Sequence, residues 1–224
     1  MKTRNYIPLG AAEVTPGEIL LEDYIKPMDL SIRELSRRMK CVVAITGASG
    51  ALYAKRLIDC LIEAQAEIEI VLSAHAKEVA AVEEVLYDFS EEIPVYGDRS
   101  MQKPFVSGSA KYDAMIVIPC SMGTIGRIAH GYSDSAITRA ADVFLKEKRQ
   151  LILVPRETPW NLIQARNIVT VMEAGATVIP ACPSFYGNPK TVLEVIDTIV
   201  ARVLDHLKVP HQLVKRWKQE NALE

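Results

Sequence analysis

Five short segments of the chain place small, hydroxylated or charged residues where they could bind an anion or move a proton. They read Thr46-Gly47-Ala48-Ser49-Gly50, Ser73-Ala74-His75, Cys120-Ser121-Met122-Gly123-Thr124, Arg156-Glu157-Thr158-Pro159 and Pro183-Ser184-Phe185-Tyr186. A glycine-rich turn that opens a helix lets backbone N–H groups approach a phosphate, and the positive end of the helix dipole favours its charge. Ser49 can add a hydroxyl donor to the first turn. Such a turn also forms for steric reasons alone, and this one is not the dinucleotide pattern G-x-G-x-x-G. The second anion-capable turn begins at Ser121, where a serine equally suits ordinary helix capping. Arg156 and Glu157 follow the apolar run Leu151–Val154 directly, offering a cation and a carboxylate at a strand end. That placement suits catalysis, although a strand that has simply reached the surface also ends in charge.

The elements that must position these residues are legible in the hydrophobic pattern. From Cys41 onward, short β-branched runs alternate with amphipathic segments, the mark of repeated βα units around a parallel sheet. Strands are expected at 41–46, 68–72, 114–119, 151–154 and 177–180. Leu52, Leu57, Leu61 and Ile62 mark the inner face of one helix, Ile137, Ala141, Val143 and Leu145 another, and a last helix runs from Thr191 to about Leu207. The fold class is therefore α/β, a Rossmann-like three-layer fold with a mainly parallel sheet. Right-handed crossovers put every strand-to-helix loop on one sheet edge, where ligands of such folds bind. The polar stretch from Asp88 to Lys111 reads as a long connection with one short element.

Composition narrows the function. The 224 residues are 49% hydrophobic and 24% charged, with a net charge of -2, so one sizeable core and a soluble cytoplasmic setting are expected. Without a basic excess there is no electrostatic footprint for nucleic acid, and no apolar stretch has the roughly 18–20 residues of a membrane span. Cys41, Cys60, Cys120 and Cys182 form no C-x-x-C pair and read as buried thiols, while His75, His130, His206 and His211 lack ligand spacing, so no metal is expected. The run Lys146-Glu147-Lys148-Arg149 suits a helix C-terminus, and spacing alone connects none of Tyr186, Arg202 and Trp217. Residues 1–38 resemble the opening of antitoxin-type helix-turn-helix repressors but stop before a recognition helix, so DNA binding is not expected. They read as an N-terminal extension, a mis-assigned start or fusion remnant, ahead of a domain over 39–224.

Over residues 39–218 the chain resembles the UbiX/Pad1 flavin prenyltransferases. The resemblance rests on Ile45-Thr46-Gly47-Ala48-Ser49-Gly50-Ala51, Pro119-Cys120-Ser121-Met122-Gly123-Thr124, Arg139-Ala140-Ala141-Asp142-Val143 with Leu145-Lys146-Glu147, Leu153-Val154-Pro155-Arg156-Glu157-Thr158-Pro159, Phe185-Tyr186, Arg202-Val203-Leu204-Asp205 and Arg216-Trp217. It implies transfer of a dimethylallyl group from dimethylallyl phosphate to N5 and C6 of reduced FMN. The product, prenylated FMN, would serve UbiD-type decarboxylases, and the protein would form a homo-oligomer, a dodecamer, with sites at subunit contacts. Carried over, Gly47, Ala48, Ser49, Ser73, Ser121, Met122, Gly123, Thr124 and Arg156 would hold FMN. Lys146, Arg139, Tyr186 and Arg202 would bind the donor phosphate, with Ser49 assisting; Lys and Arg can neutralise a monophosphate without a metal. Either a monophosphate or a diphosphate donor satisfies the sequence. Glu157 is the expected acid/base, and Trp217 an aromatic face for the developing allylic cation. The alternatives are an FMN-dependent cysteine decarboxylase of the same superfamily, or a non-enzymatic flavin-storage or DNA-binding protein. The first expects a catalytic histidine where this chain has Val106-Ser107-Gly108-Ser109 and an asparagine turn where it has Ser121-Met122-Gly123-Thr124.

Overall fold

Among the described residues six strands pair in parallel, and the central ones, buried on both faces, read as continuous apolar runs. They are β1 (Lys40–Ile45), β2 (Glu67–Leu72), β3 (Val95–Gly97), β4 (Ala114–Cys120), β5 (Gln150–Pro155) and β6 (Thr177–Val178). The structure, a computed structural model, describes residues 38–215; the stretch before Arg38, with its helix-turn-helix resemblance, and Trp217 lie outside the described residues. Among the described residues six α-helices connect or follow the strands: α1 (Ala51–Glu63), α2 (Ala74–Val82), α3 (Met122–Ala129), α4 (Ala136–Lys146), α5 (Leu162–Glu173) and α6 (Val192–Leu207). The connection from Asp88 to Lys111 holds β3 and a single 3-10 turn, Pro104–Val106, one element more than the pattern suggested.

The strand order β3-β2-β1-β4-β5-β6 has a consequence for the site. From β1 the chain winds outward through β2 to β3, and from β4 it winds the other way through β5 to β6. At the carboxyl ends of β1 and β4 the loops therefore diverge and leave a crevice, the topological switch point at which such sheets bind ligands.

Alternation along each strand sends its residues to two cores. Val43, Ile45, Ile70, Leu72, Ile116 and Ile118 meet α1 and α6, while Val42, Ala44, Met115, Val117 and Leu153 meet α3, α4 and α5. α1 and α6 are also joined by charge: Arg56 Nε donates to Asp197 Oδ1 at 2.7 Å and Nη2 to Oδ2 at 3.1 Å. Asp197 is 6% exposed, so removing it strands a guanidinium beside the core. We expect Asp197→Ala to cost roughly 2–3 kcal/mol, less than the about 3–5 of a fully buried pair because Arg56 is partly solvated. A urea melt checks this, the midpoint falling at an unchanged slope.

Cys41, Cys60 and Cys120 are buried as expected, but Cys182 is exposed, because the chain beyond β6 runs over the surface. Burial, with Asp113 adding, pushes the Cys41 thiol up to about 12, and burial raises that of Cys120 as well. Such thiols stay protonated and are not nucleophiles.

Candidate active site

Thr46, 2% exposed, ties the two halves of the switch point together. Its hydroxyl donates to the carbonyl of Pro119 at 2.8 Å and accepts from the N–H of Ser121 at 2.8 Å. The end of β1 is thus fixed to the turn that follows β4. Above this latch opens a cleft of about 320 Å³, lined by Thr46, Gly47, Ser73, His75, Asp98, Ser121, Thr124, Arg127, Asp134, Ser135 and Thr138 among others. That volume falls at the lower end of the roughly 300–1,000 Å³ usual for small-molecule sites.

Three of the lining residues are helix N-caps. Ser73 caps α2 by accepting from Ala76 N, Ser121 caps α3 by accepting from Thr124 N, and Ser135 caps α4 by accepting from Thr138 N. Three helix N-termini thus turn their positive ends toward one space, a field suited to a phosphate. Gly47 completes the wall: a Cβ there would lie 2.5 Å from the Cβ of His75, so no other residue fits without moving α2.

The Gly47–Gly50 turn has a second role that its sequence does not announce. Gly50 takes φ +110°, a conformation open to glycine, and its N–H donates to both oxygens of Glu83, at 2.8 and 3.1 Å. Ala51 N donates to Glu83 Oε2 at 2.7 Å. Part of the expected phosphate cradle is therefore occupied by a carboxylate of the chain itself, while Gly47 faces the cleft. Burial raises the pKa of Glu83, but hydrogen bonds from Ser49, Gly50 and Ala51 and the charge of Arg156 together outweigh it, and the net shift is downward. Arg156 Nε in turn donates to the carbonyl of Ser49 at 3.1 Å, closing a group of Ser49, Glu83 and Arg156 around the turn.

Of the expected flavin residues, Gly47, Ser73, Ser121 and Thr124 line the cleft and Ser49 and Arg156 meet at its neighbour turn. Ala48 and Met122 are buried at 7% exposure, so they offer backbone rather than side chain, and Gly123 is exposed. Glu157 stands on the surface, where its Oε1 accepts from Thr158 N at 2.9 Å and its carbonyl accepts from the Trp160 indole at 2.9 Å.

None of the expected donor-phosphate residues lines the cleft. Lys146 Nζ lies 3.5 Å from Glu147, Arg139 3.2 Å from Asp142 and Arg202 3.0 Å from Asp205, each pairing on its own element, and Tyr186 is 85% exposed. Arg139 and Lys146 sit two turns apart on α4. The Ser107–Ser109 loop packs on the end of this helix: Arg149 Nη2 donates to Gly108 O at 2.6 Å, and a Cβ on Gly108 would run into the Glu147 carboxylate.

Glu83, Asp98 and Ser135 were missed by sequence reasoning, and His75 was placed in an anion-capable turn without a role of its own. Glu83 carries no local signal, since the amides it binds lie 33 and 32 residues away. Ser135 had one: a serine ahead of the amphipathic run 136–146 is an N-cap pattern. Among the described residues no group of His, Cys, Asp and Glu is placed to hold a metal ion, and no helix is long and apolar enough to cross a membrane.

The Flavoprotein family model matches residues 30–204. Flavin prenyltransferase UbiX of Methanocaldococcus jannaschii is 44% identical over 183 residues, spanning 80% of this chain and 98% of that protein. The UbiX of Pseudomonas aeruginosa is 37% identical over 201 residues, 82% of this chain and 96% of its own. The crystal structure of AnUbiX (PadA1) in complex with FMN and dimethylallyl pyrophosphate superposes with a TM-score of 0.76 at 37% identity, covering 81% of this chain and 98% of that one. A dodecameric FMN-dependent UbiX-like decarboxylase from Escherichia coli O157:H7 gives 0.75 at 37% identity, covering 80% and 100%. A PPC decarboxylase mutant complexed with pantothenoylaminoethenethiol shares the fold alone, at 18% identity and a TM-score of 0.58.

Proposed function

The chain belongs to the UbiX family of flavin prenyltransferases, and from that premise we propose how its residues divide the joining of a dimethylallyl group to FMN. The transfer breaks the allylic C–O bond of the donor, whose electron pair leaves with phosphate, and forms carbon bonds to flavin N5 and C6. Two flavin protons are displaced; one returns to the prenyl alkene and the other leaves with phosphate. The protein must therefore seat two phosphates, stabilise a leaving anion and handle protons at two positions.

The observation that carries this reading is the convergence of the N-caps Ser73, Ser121 and Ser135 on one cleft beside Gly47. These residues fit the FMN phosphate, because the cleft is sized for a small molecule, focuses positive potential and has a wall that only glycine can form. Gly47, Ser73, Ser121 and Thr124 hold that phosphate, and Ala48, Ser49, Met122, Gly123 and Arg156 the rest of the flavin. Lys146, Arg139, Tyr186 and Arg202 take the donor phosphate. Their positions outside the cleft, half-buried for Arg139 and exposed for the others, favour a site completed by neighbouring subunits, in a homo-oligomer such as a dodecamer. Trp217, outside the described residues, supplies the aromatic face for the allylic cation.

Two carboxylates divide the proton transfers. Glu83, held ionised against the turn that carries Ser49, serves the leaving phosphate and N5, and Glu157, beside Arg156, serves C6. The thiols of Cys41, Cys60 and Cys120, all buried, take no part. The prenylated FMN is released to UbiD-type decarboxylases.

Anaerobic incubation with reduced FMN and either dimethylallyl phosphate or dimethylallyl pyrophosphate tests the assignment. Mass spectrometry should find flavin enlarged by one five-carbon unit with at least one donor. Unchanged flavin with both would sink it.

A further inference from the structure

His75 lines the cleft but has no place in the division of labour above. It sits at the start of α2, two residues after the N-cap Ser73. Its Cβ packs against Gly47 so closely that residue 47 can carry no side chain, which fixes the root of the imidazole at the cleft wall. Nδ1 lies 2.9 Å from Glu78 Oε2, and Nε2 has no partner among the described residues.

The chemistry of that arrangement is restrictive. A carboxylate only accepts, so Nδ1 carries a hydrogen, and in the neutral ring Nε2 is then a bare acceptor. A fully ionised phosphate, the main form above its second pKa of about 6, also offers acceptors only. His75 can donate to a phosphate in this cleft only as the imidazolium, with one N–H on Glu78 and the other on the ligand. We propose that His75 binds the FMN phosphate in this form, Glu78 positioning the ring, so that FMN binding is coupled to uptake of a proton. The proposal rests on the reading of the cleft as the FMN phosphate site.

Other groups facing the same space could take up that proton. From the β3 loop comes Asp98, whose Oδ1 accepts from Ile137 N at 3.0 Å, and from the α3–α4 connection Asp134, 3.5 Å from Arg127 of α3. Glu83, at the far end of α2, is committed to the Gly50 and Ala51 amides. A test must separate His75 from the two aspartates.

Calorimetric titration of the full-length protein with FMN and with riboflavin, in buffers of different ionisation enthalpy at neutral pH, counts the protons exchanged. The wild type should take up a fraction of a proton on binding FMN and none on binding riboflavin. His75→Gln should lose the uptake and bind FMN about tenfold more weakly, with riboflavin affinity unchanged. His75→Arg should restore FMN affinity without proton uptake, showing that the charge rather than the fold was lost. Equal uptake in His75→Gln, or uptake that disappears only in Asp98→Asn or Asp134→Asn, overturns the proposal and leaves the flavin site standing. Failure of the wild type to bind FMN removes the flavin reading and this proposal with it.

Discussion

Glu83→Gln is expected to lower turnover by about 10²–10⁴-fold, the usual reach of a general acid/base group, while FMN remains bound. FMN retention follows because the carboxylate holds the Gly50 and Ala51 amides of the turn and does not line the cleft. The amide of glutamine keeps one oxygen for these donors but cannot exchange a proton. A pH signature accompanies the change. The folded protein holds the Glu83 pKa below its ordinary value, so its contribution to stability is present above the unfolded carboxylate pKa. It is lost as the pH falls through the lower folded value, and Glu83→Gln should remove that part of the acid sensitivity. Thermal melts of both proteins across the acid range check the sign, since a steeper acid loss in the variant contradicts it. Glu157→Gln separates the two carboxylates. It too should retain FMN and lose turnover, but it should leave stability unchanged, because Glu157 is exposed and accepts one local hydrogen bond. Full activity in either variant removes that residue from the mechanism.

Thr46→Val should destabilise the protein by about 2–4 kcal/mol and weaken FMN binding together. Valine has the shape of threonine, so no cavity opens, but the Ser121 N–H loses its acceptor and the Pro119 carbonyl one of its donors. The site lies where β1 and β4 end side by side, with almost no water to replace the lost partner. Because Ser121 also caps α3, a shift of its amide moves a wall of the cleft. Thr46→Ser keeps the hydroxyl and should recover most of the FMN affinity. Denaturant midpoints measure the first effect and flavin fluorescence quenching the second. A variant that loses stability but binds FMN as tightly as wild type would show that the latch serves folding only.

Much of the fold was readable along the chain, since strands buried on both faces leave unbroken apolar runs. β1, β2, β4 and β5 fall within a residue or so of expectation, and β6 stops two residues short of it. β3 escaped notice because its three residues, Val95–Gly97, sit at the sheet edge and need bury little. The motif turns also declared themselves, because a phosphate-facing turn needs glycine and hydroxyl residues wherever it stands in the sequence.

The anion-binding turns after β1 and β4 and the parallel architecture thus follow from the order of residues alone, since each depends on neighbours within a few positions. How the turns share their work was decided in three dimensions. Glu83 reaches the Gly50–Ala51 amides across a strand and two helices, Thr46 latches to Ser121 across 75 positions, and His75 covers Gly47. Arg139, Lys146, Arg202 and Tyr186, expected at the donor phosphate, lie outside the cleft lining, and each of the three cations pairs with a carboxylate close in sequence. Contacts of the range that Glu83, Thr46 and His75 make arise only when the sheet brings distant strand ends to one edge, and the chain's local chemistry carries no trace of them.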